Sequence, residues 1–370
     1  MREEINNLRK KIDKIDTSLI TLVHQRILVT KKIGKVKKKY KLPIYDATRE
    51  QQILHDRKKY AKTLQITPHF IENIFNSLLK ESYINEENIG FSKLKKNFGS
   101  IVIIGGHGKM GNFFKRMLSL SGYQVIPFGR NDWEQSNTLL ANASMIIISV
   151  PINTTKETIQ QLPKLQKNCI LIDLTSIKHI PLQTMLDIHD GPVLGLHPMF
   201  NPNISTPIKQ TMIYCHGRHK DSYQWVLEQI KLWGINLYPM DSLEHDQYML
   251  LVQSLRHFIH FSHGMFLQEQ NIDLQKLQNV ASPIYHIELM MIARLFHQDP
   301  KLCYDIITSS QNSITIINLY IKYINQVKTL IQETKEKKKF IKKFEKIQNW
   351  LGKYAKKLII NSDKILHTIK

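Results

Sequence analysis

The sequence predicts a multidomain chain in which an α/β unit sits between two all-α units, and three observations predict it. Residues 3–40 contain no Pro and only one Gly, with apolar residues at alternating three- and four-residue spacing. From residue 101 onward, short β-rich runs alternate with helical patterns. Beyond about Leu243 the β-rich runs stop and long helical patterns continue to the end. The expected boundaries are 1–90 for the first helical domain, 91–99 for a linker, 100–243 for the α/β domain and 244–370 for the second helical domain.

A chain of 370 residues with 42% hydrophobic content has room for two or three cores. No apolar run reaches the ~20 residues of a membrane span. The opening MREEINNLRKKIDKID is charged where a signal peptide needs an apolar core, so a cytoplasmic protein is expected. The net charge of +21 raises nucleic acid or an acidic membrane surface as a partner. The lysines, however, are spread along the whole chain, including the tail KEKKKFIKKFEKIQ, with no basic cluster interleaved with aromatics. Neither nucleic acid nor membrane is therefore expected, and small anionic substrates suit the charge equally well. Cys169, Cys215 and Cys303 are widely spaced and form no CxxC, so they read as small buried apolar residues.

In the front segment, Ile5, Leu8, Ile12, Ile15, Leu19 and Leu22 form an apolar seam, continued by Val29, Ile33, Val36 and Tyr40. A helix over these residues is roughly 55 Å long, too long for a 90-residue monomer to cover, so a second copy of the chain is expected against it. Leu42-Pro43-Ile44 ends it, and helices at about 46–61 and, after the Thr67-Pro68 start signal, about 68–86 follow. Arg26 occupies a seam position, and Lys37, eleven residues on, lies about 20° away around the helix, so the two cations share a face. Arg9 is roughly 90° off that face, better placed for a partner's pocket than for its own. Buried cations need a counter-charge. A dianionic ligand supplies one; Glu50 or Asp46, as interface ion pairs, supply another.

The α/β segment opens with IVIIGGHGKMG, in which Gly106-x-Gly108-x-x-Gly111 follows a short apolar strand and enters the helical pattern NFFKRMLSLSGYQVIPF. At this spacing one glycine makes the tight turn, the next lets backbone approach a pyrophosphate and the third lets helix pack on strand, with the anion on the helix N-terminus. The runs IVII, QVIPF, MIIISVP, CILIDLTS, PVLGLHP and TMIYCHG then predict a mostly parallel, doubly wound, Rossmann-like sheet. Reactive groups are expected at the carboxyl ends of its strands, where Ser149, Thr175, Ser176, Lys178 and His197 fall. At the end of the second strand, QVIPFGRND places Gly129 where an acidic residue would hold a ribose. Arg130 beside it suits a 2′-phosphate, while Asp132 is near enough to supply the missing carboxylate; NAD is expected first, with NADP as the alternative. His257, His260 and His263 spread over roughly 120° of helix without a carboxylate, which argues against a metal site.

The order of Arg9, Arg26, Lys37, Asp46, Arg49, Glu50 and Ser82, with the opening Arg9-Lys10-Lys11-Ile12-Asp13, resembles the all-helical chorismate mutase domain. The resemblance implies that Arg26, Lys37 and Arg49 bind the carboxylates and ether oxygen of chorismate, that Arg9 arrives from the other protomer, and that Glu50 takes a substrate hydroxyl. Glu86 stands where stand-alone relatives carry Gln, as in the dehydrogenase-fused members.

The glycine motif with SVP, DLTSIK and GLHPMFNP, followed by EHDQ, LRHF, SPIY and ARLFHQDP, resembles prephenate dehydrogenase, and the fusion order resembles the bifunctional enzyme of enteric bacteria. That resemblance implies oxidative decarboxylation of prephenate to 4-hydroxyphenylpyruvate with NAD, by a homodimer. His197 would draw the ring hydroxyl proton, in its neutral form, with Ser149 a second polar contact. The cofactor is expected against Gly106, Gly108, Met110, Gly111, Arg130, Val150 and Ser176, and the substrate against Lys178, His245, His257 and Arg294. Where enteric relatives carry Arg after SPIY, this chain has His286. A rival reading is a dehydrogenase alone, its basic front helices an arm for dimerisation or nucleic acid; such an arm would carry its cations on the outer face, whereas Arg26 is on the seam.

Overall fold

The computed structural model describes residues 1–332 and 337–366. It divides into two compact units, Met1–Ser242 and the residues from Leu243 onward. The first begins with α1 (Arg2–Tyr40), α2 (Ala47–Thr63) and α3 (Pro68–Asn88). Lys41, in left-handed conformation at φ 57°, ends α1 ahead of Pro43. Asp46 caps α2, its side chain accepting from Arg49 N at 3.0 Å, and Pro68 occupies the first turn of α3.

The α/β part runs β1 (Ile101–Ile104), α4 (Lys109–Leu120), β2 (Val125–Phe128), α5 (Ser136–Leu139), β3 (Met145–Ile148), α6 (Ile152–Gln160), β4 (Ile170–Asp173), α7 (His179–Ile188), β5 (Val193–Pro198), β6 (Thr211–His216), α8 (Lys220–Leu232) and β7 (Asn236–Pro239). The strands form one sheet in the order β2-β1-β3-β4-β5-β6-β7, parallel except for the β5–β6 pair. Both faces are covered, which is why the strands read as continuous apolar runs. Alternate residues divide between two cores: Ile101, Ile103, Met145, Ile147, Ile170 and Ile172 join one, while Val102, Ile104, Ile146, Ile148 and Leu171 join the other. Each such burial contributes roughly 1.5–3 kcal/mol.

The first core does not stop at the sheet. Ile44, Leu79, Tyr83 and Phe91 belong to it along with Phe113, Phe114, Tyr223 and Leu232. The 91–99 stretch, expected as a linker, is packed rather than loose: Phe91 is buried and donates its N–H to Leu120 O at 3.0 Å, and Phe98 meets Trp225 edge-on at 4.7 Å between ring centroids. The front helices and the sheet are thus one body. Outside it lies the α1 seam: Ile5, Leu8, Ile12, Ile15, Leu19, Leu22, Val29, Ile33 and Val36 are 43–59% exposed.

The second unit is helical. After α9 (Ser242–Met249) come a π-helical turn at Leu250–Leu255, α10 (Arg256–Glu269), α11 (Leu274–Val280), α12 (Pro283–Phe296), α13 (Pro300–Ile307), α14 (Asn312–Gln332) and α15 (Lys337–Leu366), which kinks at Gly352. Ser282 and Asp299 cap α12 and α13, each followed by Pro in the first turn. No described helix is long and apolar enough to cross a membrane.

Candidate active sites

The first site forms where α1 crosses α3. The helices touch at Gly34, where a Cβ would stand 3.0 Å from Ile89 Cδ1 and 3.2 Å from Glu86 Cα, so only glycine admits this approach without displacement. On either side of that contact Arg26 and Lys37 reach α3, so Arg26, expected on the apolar seam, lies on the adjoining face with the buried Thr30 and Gly34. Arg26 Nη1 donates to Leu78 O at 2.8 Å and to Ser82 Oγ at 2.5 Å. Lys37 Nζ donates to Ile44 O at 2.5 Å and lies 2.9 Å from Glu86 Oε2. The shared face deduced from the helical repeat is therefore real, but the carboxylate that answers it is Glu86, rather than Glu50 or Asp46. Burial raises the Glu86 pKa above its ordinary value, against the opposing pull of Lys37 and then Arg26. Burial likewise lowers that of Arg26.

Glu50 is buried beside this cluster and takes two other donors: Tyr83 Oη at 2.6 Å on Oε2, and Lys209 Nζ on Oε1. Arg49 is exposed, with Nη1 on Gln52 Oε1 at 3.2 Å, and Asp46 serves as the α2 cap. Arg9 is exposed in the first half of α1 and makes no side-chain hydrogen bond or ion pair among the described residues.

The second site lies at the carboxyl edge of the sheet. The strand order reverses at β1, from which β2 and β3 lie on opposite sides, and the crevice above such a point is where α/β sheets bind ligands. The glycine turn fills it. Gly105 takes φ 79°; a Cβ on Gly106 would meet Ile103 O at 2.7 Å and Pro127 Cα at 2.8 Å; one on Gly111 would run into the Gly105 carbonyl. Gly108 caps α4, leaving the first-turn amides directed at the crevice, Met110 packs below against the core, and Val150 lines the turn at Gly105. At the end of β2, Asp132, three residues beyond Gly129, accepts on Oδ2 from Gly129 N at 2.6 Å, while Arg130 is exposed. A glycine cradle, a helix N-terminus and a carboxylate at the second strand fit a dinucleotide.

Next along the edge, Ser149 follows β3 and Ser176 follows β4, both half-buried. Lys178 is completely buried and pairs with Asp173, the only charge in the run ILID. Asp173 Oδ1 also accepts from Thr175 N at 3.0 Å and from Thr175 Oγ1 at 2.5 Å. Gly195 on β5 makes room, since a Cβ there would lie 3.1 Å from Lys178 Cδ. His197, two residues further on the same strand, is buried and opposite Ile213. The sequence reading placed Lys178 against substrate; the structure shows its ammonium engaged with Asp173, a partner that a lone carboxylate inside an apolar strand could have signalled.

In the second unit, His245 is buried with Nδ1 2.7 Å from Asp246 Oδ1. His257 is buried with Nδ1 2.7 Å from Gln253 O; burial, outweighing that bond, lowers its pKa to about 4, with help from Arg256 and His260. Arg294 is exposed in the last turn of α12. Arg256, which the sequence reading passed over, is lowered in pKa by desolvation and then by Arg294, so two guanidinium groups share one neighbourhood there.

The cation-lined helical site and the nucleotide cradle with its buried strand-end histidine fit the mutase and the dehydrogenase that the sequence motifs resemble. Comparison with known proteins agrees in each part. Chorismate mutase type II matches residues 8–87, the nucleotide-binding domain of prephenate dehydrogenase residues 129–212, and the prephenate dehydrogenase dimerization domain residues 241–349. The glycine turn lies ahead of the second match, so its reading rests on the geometry above. The T-protein of Enterobacter agglomerans is 43% identical over 100% of this chain and 98% of its own, and that of Haemophilus influenzae 40% identical over 98% and 97%. The chain belongs to the T-protein family, bifunctional enzymes that join chorismate mutase to prephenate dehydrogenase. Part of the fold is shared with Aquifex aeolicus prephenate dehydrogenase, solved with hydroxyphenyl propionate and NAD+, at a TM-score of 0.53 and 18% identity over 73% of this chain and 99% of that one.

Proposed function

We propose that the α1–α3 crossing rearranges chorismate to prephenate and that the sheet edge oxidises prephenate with NAD to 4-hydroxyphenylpyruvate, two steps of tyrosine biosynthesis on one cytoplasmic chain. The pairing of Arg26 with Ser82 and of Lys37 with Glu86 across the crossing carries the first half. Chorismate rearranges without a covalent enzyme step, so the site has to fold the substrate and place donors where the ether oxygen becomes negative. Arg26 and Arg49 bind carboxylates, Lys37 and protonated Glu86 donate to the ether oxygen, and Glu50 accepts from the hydroxyl. Asp46 and Ser82 hold α2 and Arg26 in place. Arg9 comes from a second copy, whose α1 covers the exposed seam. That copy, with the dimerization-type helices of the second unit, makes the protein a homodimer.

In the second half NAD, held at the glycine turn, would supply the acceptor for the hydride of the carbinol carbon. His197 accepts the hydroxyl proton from the same centre, Ser149 holds the oxygen, and loss of the ring carboxylate as carbon dioxide returns an electron pair that aromatises the ring, whose phenolate oxygen takes the proton back from His197. Gly106, Gly108, Met110, Gly111, Val150 and Ser176 would hold the cofactor, and Asp132 would accept from its ribose. The buried Lys178–Asp173 pair holds the strand ends in place; on the family resemblance, Arg294, His245 and His257 of the second unit bind substrate. The matches to nucleotide-binding and dimerization domains support both assignments. The chorismate mutase match over residues 8–87 speaks against the front helices as a nucleic-acid arm, as do Arg26 and Lys37, which face α3.

Chorismate supplied to the pure protein tests this reading. Without NAD, prephenate should accumulate; with NAD, 4-hydroxyphenylpyruvate, NADH and carbon dioxide should appear in equal amounts. No prephenate in the first arm would refute the mutase half, and no NADH in the second the dehydrogenase half.

A further inference from the structure

The loop from β5 to β6 ends on Lys209, which belongs to the nucleotide-binding part of the chain yet reaches the mutase site. Its backbone is fixed in a conformation unusual for a non-glycine residue, φ 65°, with its N–H donating to Gly234 O at 2.9 Å. Gly234 has no room for a side chain, since a Cβ would lie 2.7 Å from Ile208 Cγ1 and 3.3 Å from Tyr45 Cβ. From this pinned position, Lys209 Nζ lies 5.3 Å from the centre of the Tyr45 ring and donates to Glu50 Oε1. Tyr45 in turn meets Tyr83 edge-on at 6.1 Å, and Tyr83 Oη donates to the other oxygen of Glu50. Burial, then the bond to Glu50, raises the Tyr83 pKa, which keeps the phenol a donor.

Glu50 is therefore aimed by two donors, one from α3 and one from outside the front helices. Each carboxylate oxygen can accept twice, so one lone pair on each is left for a substrate hydroxyl. The side chains differ in access: that of Glu50 is 10% exposed and that of Lys209 45%, so the ammonium closes the carboxylate from the solvent side. The loop is anchored to the front helices a second time, where Thr206 Oγ1 donates to Glu87 Oε2 at 3.0 Å and Arg116 of α4 pairs with the same carboxylate.

We propose that Lys209 is a positioning residue for the mutase reaction, holding Glu50 in register for the chorismate hydroxyl, so that the nucleotide-binding segment supplies part of the mutase site. The proposal rests on Glu50 having the role given above. A hydroxyl contact present in both bound substrate and transition state acts on binding more than on turnover. In the full-length protein, Lys209→Ala should raise the mutase KM for chorismate about tenfold, with kcat and the dehydrogenase kcat/KM for prephenate each within about twofold of the parent. Lys209→Arg should restore most of the KM. Adding Lys209→Ala to Glu50→Gln should change little beyond Glu50→Gln alone, because the two act as one unit. An unchanged KM in Lys209→Ala, losses that multiply in the double variant, or a lower kcat at constant KM that Arg does not rescue would each overturn the proposal. Absence of mutase activity in the parent would instead overturn the underlying site assignment.

Discussion

The two sites of this chain hold their charges in opposite ways. At the sheet edge the ion pair of Asp173 and Lys178 is sealed from water and neutral as a unit, its geometry fixed by strand ends and by the absence of a side chain at Gly195. At the α1–α3 crossing, Arg26 and Lys37 face one buried carboxylate, Glu86, on a helix whose outer seam is bare. The ion pair at the sheet edge is closed to water. The α1–α3 crossing carries an excess of positive charge and an uncovered apolar surface, which suits a dianionic substrate and a second protomer. The contrast follows from the reactions: hydride transfer needs a dry, rigid cradle, whereas a pericyclic step needs only surplus donors around a folded dianion.

That contrast makes Glu86 the group to perturb. Its pKa is raised by burial, so the protonated donor is present below that raised value and is lost as pH rises through it. Mutase kcat/KM should fall on the alkaline side by up to about a hundredfold, the scale of losing one preorganised donor. Glu86→Gln keeps a donor without titration and should flatten that limb, leaving the dehydrogenase profile as it was. An alkaline limb that survives in Glu86→Gln would remove Glu86 from the reaction and make Lys37 the sole donor.

A smaller effect is expected at the sheet edge. If Asp132 replaces the missing second-strand carboxylate, Asp132→Asn should weaken NAD binding about tenfold, ~1.4 kcal/mol, with NADP binding unchanged or improved; direct titration of each cofactor reads this without turnover. In the parent, a preference for NAD over NADP beyond about a hundredfold, ~2.7 kcal/mol, would show that Arg130 is turned from the ribose. Equal loss of both cofactors in Asp132→Asn would mean that Asp132 merely shapes the Gly129 turn.

How much of this was legible beforehand differs between the same two regions. The six strands announced by apolar runs are all present, because a sheet covered on both faces admits few polar residues to interrupt the pattern, and Asp173 and His197 fall at strand ends. The seventh, β7, was missed: NLYP is an edge strand, mostly exposed, and ends in Pro239. Helical periodicity placed Arg26 and Lys37 together but could not say which carboxylate meets them, since that depends on where α3 crosses. The packing of 91–99 was hidden for a similar reason, as a lysine-rich stretch gives no sign of the sheet face beneath it. Nothing local connects Lys209 to Glu50, 159 residues apart; only the shared core of the front helices and the sheet brings them together.

If one chain carries two chemically separate sites, paired assays on Lys37→Ala and His197→Asn will separate its two activities. Lys37→Ala should lose about 10²–10³-fold in mutase kcat/KM while oxidising prephenate at nearly the parent rate. His197→Asn should lose about 10²–10⁴-fold in dehydrogenase kcat with mutase activity and NAD affinity retained. Parallel loss of both activities in either variant, with the fold intact, would contradict the account and point to a single shared site.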